Sequence, residues 1–328
     1  MLSSARKFTV TFCILLITIA VLTIVGIAVG SVSISITDII LAIFNPQAIS
    51  RNIAYIIRNI RIPRVLTAIV TGAALALCGL VFQSVFRNPM ADSYVLGISS
   101  GASFSVGLGF VIGISYADIA LPVVAFVGSM LTTALLFVIS RRSTSSLLLS
   151  GISLNFLLSA LTTLTIYLSN RQAENILLWT LGSLGNSSWF RLLLIFLATI
   201  IAAIIVFFNC NSMDLLLLDD STAISSGLNI RRCRVLLLIL ASIVTATVVS
   251  FSGIIGFVGL MSPHFMRILI GPKHKRLIPM SMLMGAIILT FSDIVCRFIV
   301  APSELPIGIV TSILGAPVFM VLLRRKKS

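Results

Sequence analysis

Charge is scarce in this sequence, and acid is scarcer still. Only 10% of the 328 residues are charged, 58% are hydrophobic, and nine Asp and Glu stand against 23 Lys and Arg. Soluble domains carry about 25% charged residues, so a water-soluble globule is excluded for most of the chain. Histidine occurs twice, at His264 and His274, and the five cysteines (Cys13, Cys78, Cys210, Cys233, Cys296) form no C-x-x-C pair. A structural zinc site needs about four such ligands together. The sequence therefore offers no metal site and implies no cofactor, and the cysteines read as small buried hydrophobes. No G-x-x-x-x-G-K-[ST] run occurs, so the chain carries no phosphate-binding loop of its own. No cluster of His or acidic residues gathers on one face, which argues against a membrane enzyme.

What the chain has in abundance is long apolar runs without period-2 alternation. In lipid only helices or closed barrels satisfy their backbone groups, and runs of this length select helices. The expected fold class is all-α, a polytopic membrane protein with about ten transmembrane helices. They cover 8–30, 65–86, 94–113, 118–140, 146–168, 190–208, 234–253, a short 258–270, 277–300 and 306–323. Arg6 and Lys7 precede a first run longer than a signal-peptide core of roughly 7–15 residues, so that run reads as a retained span. Placing both termini in the cytoplasm puts most of the 23 basic residues inside, as the positive-inside bias requires. The net charge of +14 is thereby a matter of topology, not of nucleic-acid binding. Arg51, Arg58, Arg61, Arg64, Arg171, Arg191 and Arg297 fall outside, and four of these crowd into 51–64 against the bias. No connection is long enough for a soluble catalytic domain, so 1–328 is expected to be a single transmembrane domain. Its longest inside loop, about 209–233, is polar and has room for one or two short helices.

Several constellations stand out. Gly72 and Gly79, Gly97 and Gly101, and Gly109 and Gly113 recur at helix-packing spacings. Asn155, Ser159 and Thr162 share one helical face, either as interhelical glue or as the lining of a solute path. Asp293 and Arg297 are four apart and suit an internal ion pair. Arg61 and Arg64 flank Pro63 at a helix start, where headgroup anchoring and an acidic extracellular partner are both open readings. A Gly-broken stretch, 252–264, puts His264 after Pro263 near an expected helix start, as a hydrogen-bonded structural residue or a titrating group.

Together these pieces resemble the FecCD family of ABC importer permeases. The resemblance rests on Arg61-Ile62-Pro63-Arg64, Gly72-Ala73-Ala74-Leu75, Gln83 with Arg87-Asn88-Pro89-Met90-Ala91, Leu96-Gly97, Gly101-Ala102, FVGLMSPHFMRILIG (257–271), Asp293, Arg297 and ELPIGIVTSILGAPVF (304–319). It covers nearly the whole chain. It implies the type II ABC importer permease fold and inward transport of a ferric siderophore, haem or cobalamin-like chelate across a bacterial inner or plasma membrane. The chain would be a transport subunit, not an enzyme. Expected partners are a second permease subunit (homo- or heterodimer), two cytoplasmic ATPase subunits and an extracytoplasmic substrate-binding protein. Carried over residue by residue, Arg61, Arg64 and Arg297 would dock that binding protein. Asp219, Asp220, Ala223, Ser225, Gly227, Leu228 and Asn229 would couple to the ATPase. Asn88 and Met90 would form an inner gate, and Asn155, Ser159 and Thr162 would line the path. Met90 stands where the family has Leu, Ser226 where Leu precedes the coupling Gly, and Gly271-Pro272-Lys273-His274-Lys275 where G-x-D-H-R is usual. A zinc/manganese-type permease would predict more His and acid along the path. An ion-coupled secondary transporter would predict mid-bilayer carboxylates, for which Asp293 is the one deep candidate in the sequence.

Overall fold

The structure is a computed structural model that describes residues 4–30, 34–94, 96–115, 119–140, 144–169 and 172–325. The topological charges Arg141, Arg142, Arg171, Lys326 and Lys327 lie outside the described residues. Among the described residues all regular structure is helical: α1 Ser4–Ala28, α2 Ile36–Phe44, α3 Arg51–Tyr55, α4 Ile62–Val85, α5 Ile98–Val111, α6 Ala120–Ile139, α7 Thr144–Leu168, α8 Ala173–Thr180, α9 Trp189–Phe208, α10 Cys210–Leu216, α11 Asp220–Ser225, α12 Ile230–Ser252, α13 Val258–Ile270, α14 His274–Ile299 and α15 Ile307–Arg325. A π-helical turn, Ile56–Arg61, joins α3 to α4. Among the described residues seven helical runs, one of them the continuous Arg51–Val85, are long and apolar enough to cross a membrane, and three shorter apolar helices (98–111, 258–270 and 307–318) complete the set read from the sequence.

One expectation about length and one about position need correction. The run 94–113 yields only the 14 residues of α5, about 21 Å at 1.5 Å per residue, short of a ~30 Å hydrocarbon core. Gly97 at φ 74° turns the chain into the helix, and Gly113 at φ 92° ends it. Gly109 and Gly113 consequently form no close helix contact, since a side chain at Gly113 would meet nothing within 4 Å. α12 stops at Gly253 (φ 68°) and α13 begins at Val258, as the expected spans 234–253 and 258–270 have it. His264 lies inside α13, not near its start, because Pro263 is accommodated within the helix. A proline there withholds the N–H that would bond the carbonyl of residue 259. The Gln83 amide supplies the substitute, donating Nε2–H to the carbonyls of Gly259 (3.3 Å) and Leu260 (3.2 Å).

The packing is organised around α4, the most enclosed of the long apolar helices, with 78% of its best apolar window buried. Its small residues explain how. A Cβ at Gly72 would lie 2.2 Å from the Gly285 carbonyl oxygen on α14, and one at Gly79 would lie 2.0 Å from that of Gly259 on α13. Glycines at those crossings let the backbones touch, as small residues do between helices in lipid. By contrast α1 and α7 bury only 17% of their best apolar windows. Their exposed leucines, isoleucines and phenylalanines suit a hydrocarbon solvent.

Candidate functional site

At the start of α4 the structure gathers Arg61, Arg64 and Arg297, which are 236 positions apart in sequence from first to last (297 − 61). It does not leave them as a free basic patch. They are only 5, 7 and 6% exposed. Asp293, 1% exposed at its side chain, holds Arg64 at 2.9 Å and Arg297 at 2.8 Å, so the i, i+4 ion pair read from the sequence is present. Arg297 Nη1 donates to the carbonyls of Gly26 (2.8 Å) and Val29 (2.9 Å). Arg61 Nη1 donates to those of Ile27 (2.8 Å) and Ala28 (2.7 Å). The last carbonyls of a helix have no intrahelical donor and carry the negative end of its dipole. The two guanidinium groups thus cap α1, which is why they are buried. Arg64 Nη1 also bonds both carboxylate oxygens of Glu304, at 2.7 and 2.9 Å. Glu304 stands in the turn before α15 with its side chain 42% exposed. Three guanidiniums against two carboxylates leave one positive charge uncompensated, and Glu304 is the exposed member. Arg51 and Arg58 remain exposed at this end of the bundle.

The opposite end of α4 carries a second cluster. The chain leaves the helix at Arg87, a non-glycine residue at φ 50°, and turns through Asn88 and Met90. Asn88 Oδ1 accepts the Met90 N–H at 2.9 Å, and Met90 is 48% exposed. Arg87 Nε donates to the Leu216 carbonyl (2.6 Å) and Nη2 to Asp220 Oδ1 (2.5 Å), while Arg234 Nη2 reaches the same oxygen at 3.1 Å. The Arg87 bond, with Arg234 adding its charge, holds the Asp220 carboxyl below the usual carboxylate range. The tie is therefore present above the ordinary Asp value and lost only as pH falls through that lowered one.

The 209–233 loop folds as the two helices α10 and α11. Ala223 is fully buried, whereas Asp219, Asp220, Ser225, Gly227 and Asn229 are exposed and Leu228 is half-buried. Gly227 at φ 84° ends this segment, and Asn229 caps α12 by accepting the Arg232 N–H at 3.1 Å. Leu217, Leu218 and Ile224 present apolar surface beside the exposed polar residues.

Asn155 and Thr162 lie on the side of α7 that packs on α5: the Asn155 backbone nitrogen is 3.5 Å from where a Gly97 Cβ would be, and the Thr165 methyl 3.3 Å from one at Gly107. Thr162 is buried and bonds the Leu158 carbonyl, Ser159 is half-buried, and Asn155 Oδ1 is buried with no protein partner. The stripe thus begins beside Gly97, at the start of α5.

Sequence reasoning missed four participants. Glu304 and Arg87 sit within quoted motifs but had no role. Asp92 is a second deep carboxylate, 8% exposed, that accepts the Ser93 N–H at 2.7 Å; Asp293 is not alone. Asp214 contacts His274 Nδ1 at 2.6 Å, and His274 Nε2 meets Ser84 Oγ at 2.7 Å. That arrangement has the outline of a hydrolase triad. With His274 and Ser84 at 0% exposure, no substrate reaches the hydroxyl, and the trio is a cross-link between α10, α14 and α4.

A family model for the FecCD transport family matches residues 16–325. The chain is 40% identical over 277 residues to the hemin transport system permease protein HmuU of Yersinia pestis, covering 82% of this chain and 83% of that one. It is 36% identical over 278 residues to the molybdate import system permease protein MolB of Haemophilus influenzae, covering 83% and 82%. Among solved structures it superposes with a TM-score of 0.87 on one described as an inward-facing metal-chelate type ABC transporter, at 33% identity, covering 97% of this chain and 99% of that one.

Proposed function

The chain belongs to the FecCD transport family and is the permease of an ABC importer; from that premise we propose that its cargo is a ferric siderophore, or a haem- or cobalamin-like chelate, carried into the cytoplasm. It is a transport subunit and not an enzyme, and in these importers the ATPase is a separate subunit. The observation that supports a chelate cargo most directly is the 0.87 TM-score over nearly the full length of a metal-chelate type transporter. The test is uptake into proteoliposomes from a panel of ferric siderophores, hemin, cobalamin and molybdate. Uptake of a ferric chelate is expected, and uptake of molybdate alone would overturn the proposal.

In this reading 1–328 acts as one transmembrane domain in a bacterial inner or plasma membrane, with both termini cytoplasmic. It pairs with a second permease subunit. Two ATPase subunits seat on α10–α11, touching Asp219, Asp220, Ser225, Gly227, Leu228 and Asn229, with buried Ala223 fixing the loop. Asn88 and Met90 gate the cytoplasmic mouth, and Asn155, Ser159 and Thr162 line the path. Nucleotide binding biases the assembly between outward- and inward-open states.

A substrate-binding protein docks at the Arg61, Arg64 and Arg297 end. Because the arginines there are engaged, a docking carboxylate has to compete with Glu304 for Arg64. Glu304→Gln is accordingly expected to tighten binding-protein docking several-fold, with faster association because a rim charge mainly alters on-rate. Surface plasmon resonance on the detergent-purified complex measures it. Unchanged or weaker docking would remove Arg64 from the docking face.

A further inference from the structure

Arg87 has a role that neither the family resemblance nor the docking reading supplies. Its backbone occupies the left-handed region at φ 50° as the residue after the C-cap of α4, where the N–H groups of Arg87 and Asn88 bond back to the Ser84 and Gln83 carbonyls. The side chain reaches beyond that turn. It is one arm of a bracket from the last turn of α4 to the loop between α9 and α12: Nε to the Leu216 carbonyl and Nη2 to Asp220. A second arm runs parallel, from Ser84 through His274 to Asp214. Ser84 lies in the last turn of α4, while Asp214 and Leu216 lie on α10 and Asp220 opens α11. Asn88 follows Arg87 directly, and its backbone N–H bonds back to the Gln83 carbonyl at 3.1 Å.

We propose that Arg87 is a positioning residue that locks the Asn88–Met90 turn to the α10–α11 segment, so that a displacement of that segment moves the turn as one body with it. The inference rests on the reading of α10–α11 as the ATPase seat. The Asp220 side chain is 53% exposed even with both arginines on it. One side of the carboxylate holds the bracket while the other stays open to a partner. The bonds are charge-assisted, the stronger kind, and Arg87 makes two of them, one to the end of α10 and one to the start of α11.

The experiment uses the full complex of permease, ATPase and binding protein in proteoliposomes, and reads uptake and ATP hydrolysis together. Arg87→Glu is expected to leave ATP hydrolysis within about twofold of wild type while uptake falls by about tenfold. Spin labels on Met90→Cys and Ile224→Cys, one labelled copy per complex in a Cys13→Ser background, supply a second readout. Both sites are exposed, and the other native cysteines are buried. The label-to-label distance is expected to stay fixed between nucleotide-free and ATP-bound complexes in the wild-type bracket, and to become state-dependent with Arg87→Ala. A wild-type distance that changes with nucleotide, or an uptake-to-hydrolysis ratio that Arg87→Glu leaves untouched, overturns the inference. A chain that binds no ATPase defeats the permease reading itself, a separate outcome.

Discussion

Asp293→Ala is expected to cost roughly 3–5 kcal/mol of stability, the range for removing one partner of a buried ion pair. The side chain is 1% exposed and bridges two guanidinium groups. Without it Arg297 keeps its bonds to backbone carbonyls, those at the end of α1 and that of residue 293, but no carboxylate, and Arg64 keeps the half-exposed Glu304. A midpoint of thermal unfolding in detergent lowered by roughly 5 °C or more checks this, and Asp293→Asn, which retains size and an acceptor, is expected to fall between. The same substitution removes the carboxylate that orients Arg297 on the end of α1, so protease sensitivity should rise first near residues 26–30. An unchanged midpoint would mean that the arginines are solvated rather than enclosed.

Gly79→Val should be as damaging for a different reason. A Cβ there would stand 2.0 Å from the Gly259 carbonyl oxygen, 2.5 Å from its carbon and 2.6 Å from its Cα. All of these are backbone atoms of α13, so no side chain can swing aside and the whole crossing has to open. Overpacking costs about 1–3 kcal/mol where side chains yield, and occasionally more; a backbone contact belongs at or above the top of that range. The opened crossing would also pull Gln83 away from the carbonyls beside Pro263. Fluorescence-detected size-exclusion chromatography of a tagged chain is expected to show little monodisperse protein. Gly256→Ala is the control, since nothing lies within 4 Å of a side chain there, and it is expected to behave as wild type.

The number and order of the apolar helices were legible in the sequence because hydrocarbon thickness sets run length, and that signal needs no tertiary information. The short helices were harder. α2 and α8 are amphipathic pieces of nine and eight residues between spans, too brief for a periodicity to declare itself. The burial of Arg61, Arg64 and Arg297 was invisible for another reason. Their positions relative to the bilayer follow from the runs, but Arg61 and Arg297 are held by carbonyls at the end of α1, a feature of backbone that no residue type encodes, and Arg64 by Asp293 and Glu304, far along the chain. Gln83 could have been found: a buried-span amide and a proline that orphans a carbonyl are both readable, though not their proximity. Arg87 stood in the sequence only as the first residue of the 87–91 motif. Its pairing with Asp220, 133 positions away, needed α4, α10 and α11 to be placed together.

The most direct test of the account is ATP-driven uptake in proteoliposomes containing this chain, with and without its ATPase and binding protein. The purified chain alone is expected to hydrolyse no ATP and to move no ferric chelate, and uptake is expected only when ATPase, binding protein and ATP are all present. Hydrolysis by the chain alone, or uptake driven by an ion gradient without ATP, would contradict it.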